Sequence, residues 1–360
     1  MKIDFIISGL NPGGAERVMV LLTNHFSEIG HDVRLISLNE GDAYTVSKSV
    51  NRVKLHKGSI RAARIRGLVN LFKFYKEKKN RPDVIISFIT LMNLVSIIVA
   101  KFYKIPIIVS EHNSFLRFQN PKWLCDFTRT FLYPRANYVT VLTSFDLPYY
   151  NRKGCNTVVM PNPVTFNPIS KLPTSRNKYI LAVGNLDRYH HKGFDNLIRL
   201  IEPILNKNVD WQLKIIGRGE NGKIFLNDLV AKASLSDRIH FTGQINNVKE
   251  LMSESEIFIL PSRFEGLPMV LLEAMSQGMA CIAYDCKTGP AEMIDNNFNG
   301  LLIEDQNEEE MKKGLSRLID SETLRIELGK NAIKSLQKYD IDNVSNLWTK
   351  LFKESANIPK

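Results

Sequence analysis

Two glutamates flank a glycine-proline turn in Ser262-Arg263-Phe264-Glu265-Gly266-Leu267-Pro268-Met269-Val270-Leu271-Leu272-Glu273-Ala274-Met275. The apolar run Ile257-Phe258-Ile259-Leu260 before them reads as a buried strand, and the segment after them as a strongly apolar helix. Pro268 suits the first helical position, where a missing N–H costs nothing. The N–H groups of Met269, Val270 and Leu271 then point out of the positive end of the helix, which makes an anion site suited to phosphate. Glu265 lies just outside that site and Glu273 roughly one turn inside the helix. One carboxylate can hold something beyond the phosphate and the other something behind it. A plain Gly-Pro loop with a glutamate near a helix start would use the same residues, so the segment alone leaves both readings open.

Three further loops bear on this chemistry. Asn11-Pro12-Gly13-Gly14-Ala15-Glu16-Arg17 joins a first strand to a helix, and its adjacent glycines allow close approach of a ligand to backbone N–H donors. It lacks the GxGxxG spacing of a dinucleotide site. Val183-Gly184-Asn185-Leu186-Asp187-Arg188-Tyr189-His190-His191-Lys192-Gly193 offers Arg188 and Lys192 to a diphosphate, or to solvent as ordinary surface charges. Ile216-Gly217-Arg218-Gly219 is a tight turn at a strand end. Glu111-His112-Asn113 ends another strand, and His112 there is either a group facing a reacting hydroxyl or a core histidine. Nothing resembles a Ser-His-Asp nucleophile elbow or a P-loop, and no aspartate pair with metal-like spacing stands beside these loops.

The elements that must carry the loops alternate along the chain. Apolar runs at Ile3–Ser8, Val33–Leu38, Val84–Phe88, Pro106–Ser110 and Tyr138–Leu142 are separated by helical patterns. The rhythm repeats at Tyr179–Val183, Gln212–Ile216, Ile239–Thr242, Ile257–Leu260 and Ala280–Tyr284. Continuous apolar strands between helices mean parallel sheets covered on both faces. The expected architecture is α/β, with two doubly wound, Rossmann-like domains facing a central cleft. Proline-rich residues 160–175 form the linker, so the domains are taken as 1–172 and 173–340. A last helix in 341–360, with Val344, Leu347, Trp348 and Leu351 at helical spacing, folds back onto the first.

Composition bounds the rest. The 360 residues are 44% hydrophobic, as a soluble globular chain is, and exceed one ordinary core. Cys125, Cys155, Cys281 and Cys286 show no ligand-like spacing and are expected reduced, with no metal site. Asp4 interrupts the apolar start, which favours a buried strand over a signal peptide. Val84 to Ala100 is nearly long enough to span a membrane, but Ser87, Thr90, Asn93 and Ser96 punctuate it, and a strand turning into a buried helix explains it better. Residues 1–172 carry 24 Lys and Arg against 11 Asp and Glu, whereas 173–360 carry 24 against 26. Lys73, Lys76, Lys78 and Lys79 share one expected helix. That asymmetry suits a polyanion or an anionic membrane surface, or else a solvated basic face.

Taken together these loops resemble the retaining, GT-B-fold nucleotide-sugar glycosyltransferases of family 4. The resemblance runs from Gly13-Gly14-Ala15-Glu16-Arg17 to about Asp305 and is most specific in Glu265-x7-Glu273, Gly289-Pro290-Ala291-Glu292 and Asn299-Gly300-Leu301-Leu302, the last matching the family's closing strand. It implies that Glu265, Gly266 and Leu267 hold the donor sugar, that Met269 and Val270 take the distal phosphate and that Glu273 takes the ribose hydroxyls. Arg188 and Lys192 would flank the diphosphate, with Asn185 standing where many relatives have arginine. Gly217 and the turn Gly243-Gln244-Ile245 would lend backbone to the donor, Ile245 to its base. Gly13 and Gly14 would close over the phosphates, and His112 would face sugar and acceptor.

The activity so implied is transfer of a hexose or N-acetylhexosamine from a nucleotide-diphosphate sugar, UDP-linked by resemblance, to a glycan hydroxyl with retained configuration. No cofactor and no metal are expected. The acceptor expected from the basic first domain is a polyprenyl-diphosphate-linked glycan, met by a cytoplasmic protein peripheral at the inner face of the membrane. Phe115, Leu116, Phe118, Trp123 and Leu124 are either a bilayer-edge patch or a packed helix pair. A nucleotide-sugar epimerase of the same plan is the alternative enzyme. A nucleic-acid-binding protein is the non-enzymatic one, which no recognition motif supports, so nucleic acid is not an expected partner.

Overall fold

The computed structural model describes residues 1–117 and 120–357, arranged as two compact units. The first unit holds residues 1–163 and the chain from Tyr339 on; the second is Val164–Lys338. The division falls before the 172/173 boundary expected from composition, for a local reason. Thr165 donates to Glu273 at 2.6 Å, the Ile169 N–H donates to the Ser276 carbonyl at 3.0 Å, and Gln277 donates to the Asn167 carbonyl at 3.3 Å. The proline-rich stretch is therefore tied to the second unit almost from its start.

The first unit is built on a seven-stranded sheet. Its strands are β1 (Lys2–Ile7), β2 (Asp32–Ser37), β3 (Asn51–Lys54), β4 (Val84–Phe88), β5 (Ile107–Ser110), β6 (Tyr138–Val141) and β7 (Thr157–Val159). They lie in the order β3-β2-β1-β4-β5-β6-β7, with every pairing parallel. All residues of β4 and β5 are buried, as expected where helices cover both faces. One face takes the helices Ala63–Lys76, Thr90–Phe102 and Lys122–Phe127, the last continued by a wider turn to Leu132. Leu71, Val95 and Tyr133 from this layer pack with Ile85, Ile107 and Val139. The strands that composition did not reveal, β3 and β7, are the two edges; they are short and largely half-exposed, so they lack a continuous apolar run.

The helices Gly14–Glu28 and Ile341–Asn357 belong to the same unit and meet through Phe26 and Phe352, whose ring centroids are 5.1 Å apart. Trp348 stacks at 6.4 Å on Phe88 of β4, so the last helix completes this core. Val344, Trp348, Leu351 and Phe352 are buried, whereas Leu347, one of the residues expected on the apolar stripe, is 43% exposed. Asp4, the polar interruption in the first strand, is a buried structural carboxylate. It lies beside Arg34 in the β1–β2 register, takes a two-pronged pair from that guanidinium at 2.7 and 2.6 Å, and accepts from the Tyr75 hydroxyl at 2.6 Å. These bonds satisfy a charge that burial would otherwise make costly.

The second unit is a six-stranded parallel sheet of β8 (Asn177–Val183), β9 (Gln212–Ile216), β10 (Ile239–Gly243), β11 (Ser255–Leu260), β12 (Ala280–Asp285) and β13 (Leu301–Glu304). Their order is β10-β9-β8-β11-β12-β13. The core runs through Ile180, Ile215, Ile257 and Ile282, with Phe194 and Trp211 beside them. The segment from Val84 to Ala100 resolves into β4 and most of the helix Thr90–Phe102; among the described residues no helix is long and apolar enough to cross a membrane.

Trp348 and Leu347 sit side by side on one helix with opposite environments, which gives a direct test of this packing. Trp348→Ala should cost about 3–5 kcal/mol through cavity and lost burial, while Leu347→Ala should change stability by about 0.5 kcal/mol or less. Chemical denaturation of the two variants measures the difference; equal losses would show that the helix does not dock through Trp348.

Candidate functional site

In an open parallel sheet the crevice for ligands lies outside the carboxyl ends of the strands, where the strand order reverses. The order reverses between β1 and β4 in the first unit and between β8 and β11 in the second. The loop after β8 carries Arg188 and Lys192, and the loop after β11 carries Glu265, so both motifs stand at the same reversal point. The loops after β1 and β4 carry Gly13-Gly14 and Ile89-Thr90.

In the second unit Lys192 and Glu265 meet directly. The Lys192 ammonium lies 2.8 Å from Glu265 Oε1, with the side chains 15% and 8% exposed, and the Ser262 hydroxyl donates to the same oxygen at 2.6 Å. Burial raises the Glu265 pKa, but the Lys192 charge and these hydrogen bonds outweigh it and hold the carboxyl below its usual range. The Thr288 hydroxyl donates to the Glu265 carbonyl and fixes the backbone. A second pair braces the two loops: Arg263 forks onto Asp195 at 2.7 and 3.1 Å, and its N–H donates to the His191 carbonyl at 3.0 Å. Gly193, next to Lys192, has φ 70°, and a side chain there would put its Cβ 1.9 Å from the Pro261 carbonyl oxygen. Only glycine lets the β8 loop lie this close to the end of β11.

The helix Met269–Ser276 begins beside this pair. Pro268 is its cap residue rather than its first helical residue, and the Leu271 N–H donates to the Pro268 carbonyl at 2.9 Å. The last turn of the cap thus consumes one of the three donors expected at this start. The N–H groups of Met269 and Val270 take no acceptor among the described residues. Glu273 is buried on the same helix and accepts from Thr165 at 2.6 Å. Arg188 ends a short 3₁₀ turn, half-buried, and pairs with no carboxylate among the described residues. Asn185 caps that turn, accepting from the Asp187 N–H at 2.9 Å. Gly217, at φ 157°, lies with its Cα against the Gly184 carbonyl, where a Cβ would come within 1.8 Å. Close packing between β8 and β9 therefore accounts for glycine at this position. Gly266 and Ile245 are partly exposed in their loops, and Leu267 is buried. Burial raises the Cys286 thiol, next to this loop, to about 12, so it stays protonated at neutral pH.

The first unit holds the remaining candidates. Tyr44 clamps Gly13, accepting from its N–H and donating to its carbonyl, both at 2.9 Å. The Glu16 carboxylate curls over the same helix start, 2.3 Å from where a Cβ on Gly13 would stand, and burial raises its pKa. His112 is tilted against Phe88 with ring centroids 4.0 Å apart, and its Nε2 lies 3.2 Å from the Ser110 hydroxyl. Its Nδ1 is buried with no hydrogen-bond partner among the described residues, and burial pulls the imidazole down to about 3, so it is neutral at physiological pH. Beneath it the buried Glu111 accepts from Thr90 at 2.7 Å and from Tyr133, and pairs with Arg129 at 3.4 Å. Ile89, between β4 and the next helix, has φ 76°, an outlier for a β-branched residue at the ligand end of the sheet.

Several of these contacts were not visible in the sequence. Ser262 lies three residues before Glu265, and that spacing is the one signal that pointed to it. Thr165 stood in the presumed linker, and the Arg263–Asp195 fork joins residues 68 apart in the chain. Phe115, expected at a bilayer edge, stacks on Tyr149 at 4.1 Å and on Phe145 at 5.8 Å, so it is packed within the unit. Phe118 lies outside the described residues.

The chain matches the family model "Glycosyltransferase Family 4" over residues 12–167 and "Glycosyl transferases group 1" over residues 165–335. It is 31% identical, over 99% of its own length and 99% of the relative's, to the Campylobacter jejuni GalNAc-alpha-(1->4)-GalNAc-alpha-(1->3)-diNAcBac-PP-undecaprenol alpha-1,4-N-acetyl-D-galactosaminyltransferase. It is 29% identical to the amylovoran biosynthesis glycosyltransferase AmsD of Erwinia amylovora, over 96% of this chain and 98% of that one. The fold is similar to that of Anabaena HepE, solved in complex with UDP and glucose, with TM-score 0.80, 15% identity and coverage of 98% and 99%. Two parallel-sheet units, with a glycine loop after the first strand of one and a Glu265-x7-Glu273 helix start in the other, fit these matches along the whole chain: it belongs to the GT-B-fold glycosyltransferases of family 4.

Proposed function

We propose that this glycosyltransferase moves a hexose or N-acetylhexosamine from a UDP-linked donor to a hydroxyl of a polyprenyl-diphosphate-linked glycan, with retention of anomeric configuration. The observation that carries the reading is the Lys192–Glu265 pair at 2.8 Å, at the reversal point of the second sheet and beside a helix start with two N–H groups that have no acceptor among the described residues. Lys192 and Arg188 neutralise the donor diphosphate, and the Met269 and Val270 N–H groups take its distal phosphate. A phosphate that draws Lys192 away frees Glu265 Oε1 for the hydroxyls of the donor sugar. Glu273 serves the ribose hydroxyls. Charge on the leaving diphosphate is then met by side-chain cations and the helix dipole, with no metal and no covalent glycosyl-enzyme. The lipid-linked acceptor is supported by the name of the Campylobacter jejuni relative and by the basic excess of residues 1–172. The same features favour a protein working at the inner face of the cell membrane.

Charge and shape at Glu265 can be separated. Glu265→Gln should lower kcat about 10²–10³-fold, as loss of one preorganised electrostatic contact does, and change the donor KM far less. Arg188→Ala and Lys192→Ala should each cost a comparable factor. An Arg188→Ala enzyme as fast as the wild type, beside an inert Lys192→Ala enzyme, would remove Arg188 from the site. In the wild type the lowered Glu265 pKa gives stability that is present above its unfolded value of 4.5 and lost as pH falls through the folded value. Without Lys192 burial dominates, so the acid limb of the Lys192→Ala enzyme should move to higher pH.

Donor binding is read by thermal shift with a panel of UDP-, GDP- and ADP-sugars. The true donor at 100-fold its Kd should stabilise the protein by about 2.7 kcal/mol, and a panel in which none raises Tm would sink the donor-site reading. NMR of the product gives the anomeric configuration; inversion would refute retention.

His112 has a distinct pH signature. With a folded pKa of about 3 against 6.5 unfolded, the unfolded chain binds the proton first. Its contribution to stability is therefore complete above about 6.5 and declines as pH falls towards 3. His112→Phe should weaken the acid sensitivity of Tm between pH 7 and 4, and the wild-type rate profile should show no limb near pH 6.5 from this residue. A histidine NMR titration with His112 near 6.5 would overturn both expectations.

A further inference from the structure

One helix layer of the first unit presents its aromatic side chains outward. On the helix that starts at Lys122, Trp123, Phe127 and Phe131 stand four residues apart and are 71%, 44% and 54% exposed. That spacing puts them on one face of the helix, and Phe127 and Phe131 touch with centroids 5.2 Å apart. On the neighbouring helix of the same layer Phe102 is 68% exposed and rests edge-on against Phe72 of the helix Ala63–Lys76. Inward-facing residues of these helices, Leu71, Val99 and Tyr133, share one core cluster under the same sheet face. The opposite sides of the helices are therefore the outer surface of one layer.

Basic residues frame these rings. Residues 57–81 contain nine Lys and Arg and one acid, Glu77, and Lys73 and Lys76 are exposed in the last turn of the first helix of the layer. Lys101 and Lys104 adjoin Phe102, and Lys122 and Arg135 bracket the Trp123 stripe, where Asp126 is the one exposed acid. Exposed Trp and Phe ringed by Lys and Arg fit the boundary of an anionic bilayer, where rings enter the headgroup region and cations meet lipid phosphates. A soluble protein partner would leave this ring of positive charge without a counterpart unless it were strongly acidic.

We propose that this layer is a membrane-docking face: Trp123, Phe127, Phe131 and Phe102 enter the interface of an anionic leaflet, while Lys73, Lys76, Lys101, Lys104 and Lys122 hold its phosphates. The reading of a lipid-linked acceptor gives such a face a purpose, but the residues that carry it are separate from the donor loops.

Flotation of the full chain with vesicles tests it, using phosphatidylcholine alone and phosphatidylcholine with phosphatidylglycerol. The wild type should float with the anionic vesicles and be released by salt. Trp123→Ser/Phe127→Ser/Phe131→Ser should float at least about tenfold less, as loss of buried rings at the interface requires. Ile224→Ser/Phe298→Ser, which removes exposed apolar side chains from the second unit, should float like the wild type. Unchanged Tm shows that the triple variant is folded; if it is not, Trp123→Ser takes its place with the same expectation in smaller degree. A wild type that ignores anionic vesicles, or a triple variant that still floats, overturns the proposal. So does a wild-type dimer in sedimentation that the triple variant converts to monomer without any vesicle binding, since a second copy would then cover the stripe. Transfer to a water-soluble acceptor is measured beside flotation. Intact transfer with aromatic-independent flotation removes only the docking face, and absent transfer with aromatic-dependent flotation removes only the proposed reaction.

Discussion

Parallel strands leave no short route from the end of one to the start of the next, so each connection must cross back over a sheet face, most often as a helix. That constraint makes both sheets of this protein apolar on both sides and sends every chemically useful loop to the same edge. In the second unit it brings the loops after β8 and β11 together, although they are about 70 residues apart in sequence. Glycine at 193, the Arg263–Asp195 fork and the Thr288 contact then set how closely those loops approach. The position of Lys192 against Glu265 is a consequence of this framework, since neither residue has a local reason to point at the other.

A nearly buried ion pair is expensive to assemble, because two charges leave water for one contact. Ser262 offsets part of that cost by giving Glu265 a second donor, and the backbone of the glutamate is held from the far side by Thr288. In the reaction proposed above, an incoming phosphate would offer Lys192 a more highly charged partner, and the sugar hydroxyls would offer Glu265 new donors. The N–H groups of Met269 and Val270, without acceptors among the described residues, add positive potential without a mobile side chain. Catalysis by fixed dipoles needs this kind of preorganisation, in which the folding energy of the sheet bears the cost of holding charges in place.

The first unit handles polar groups differently. Asp4, Arg34 and Tyr75 form one buried network inside the sheet, and Glu111, Arg129, Tyr133 and Thr90 form another at the ligand end. These networks tie helices to strands and hold the residue next to His112 rigidly. The imidazole itself is kept neutral by burial against Phe88, which suits a group that donates or accepts a hydrogen bond better than one that carries a proton in and out. The strained backbone at Ile89 and the clamp of Tyr44 on Gly13 lie on the loops beside the other reversal point.

Much of this was readable from residue order. Unbroken apolar runs such as Val84–Phe88 mark central parallel strands because both faces must be covered, and the Gly-Pro turn between Glu265 and Glu273 marks the helix start at Met269. The edge strands β3 and β7 escaped because half-exposed strands carry no such run. The units divide inside the proline-rich stretch but earlier than 172/173, because proline content says nothing of the hydrogen bonds that pin Thr165 and Ile169 to the second unit. Pairings such as Lys192 with Glu265, or Asp195 with Arg263, were decided only in three dimensions, since strand order is a property of the sheet and not of the chain. The same holds for which aromatics face outward: Phe115 and Trp123 are both apolar residues flanked by basic ones in sequence, and only packing against Phe145 and Tyr149 leaves the one half-buried and the other 71% exposed. Local order records the kinds of residue a site needs, whereas burial and long-range contact settle which of them meet.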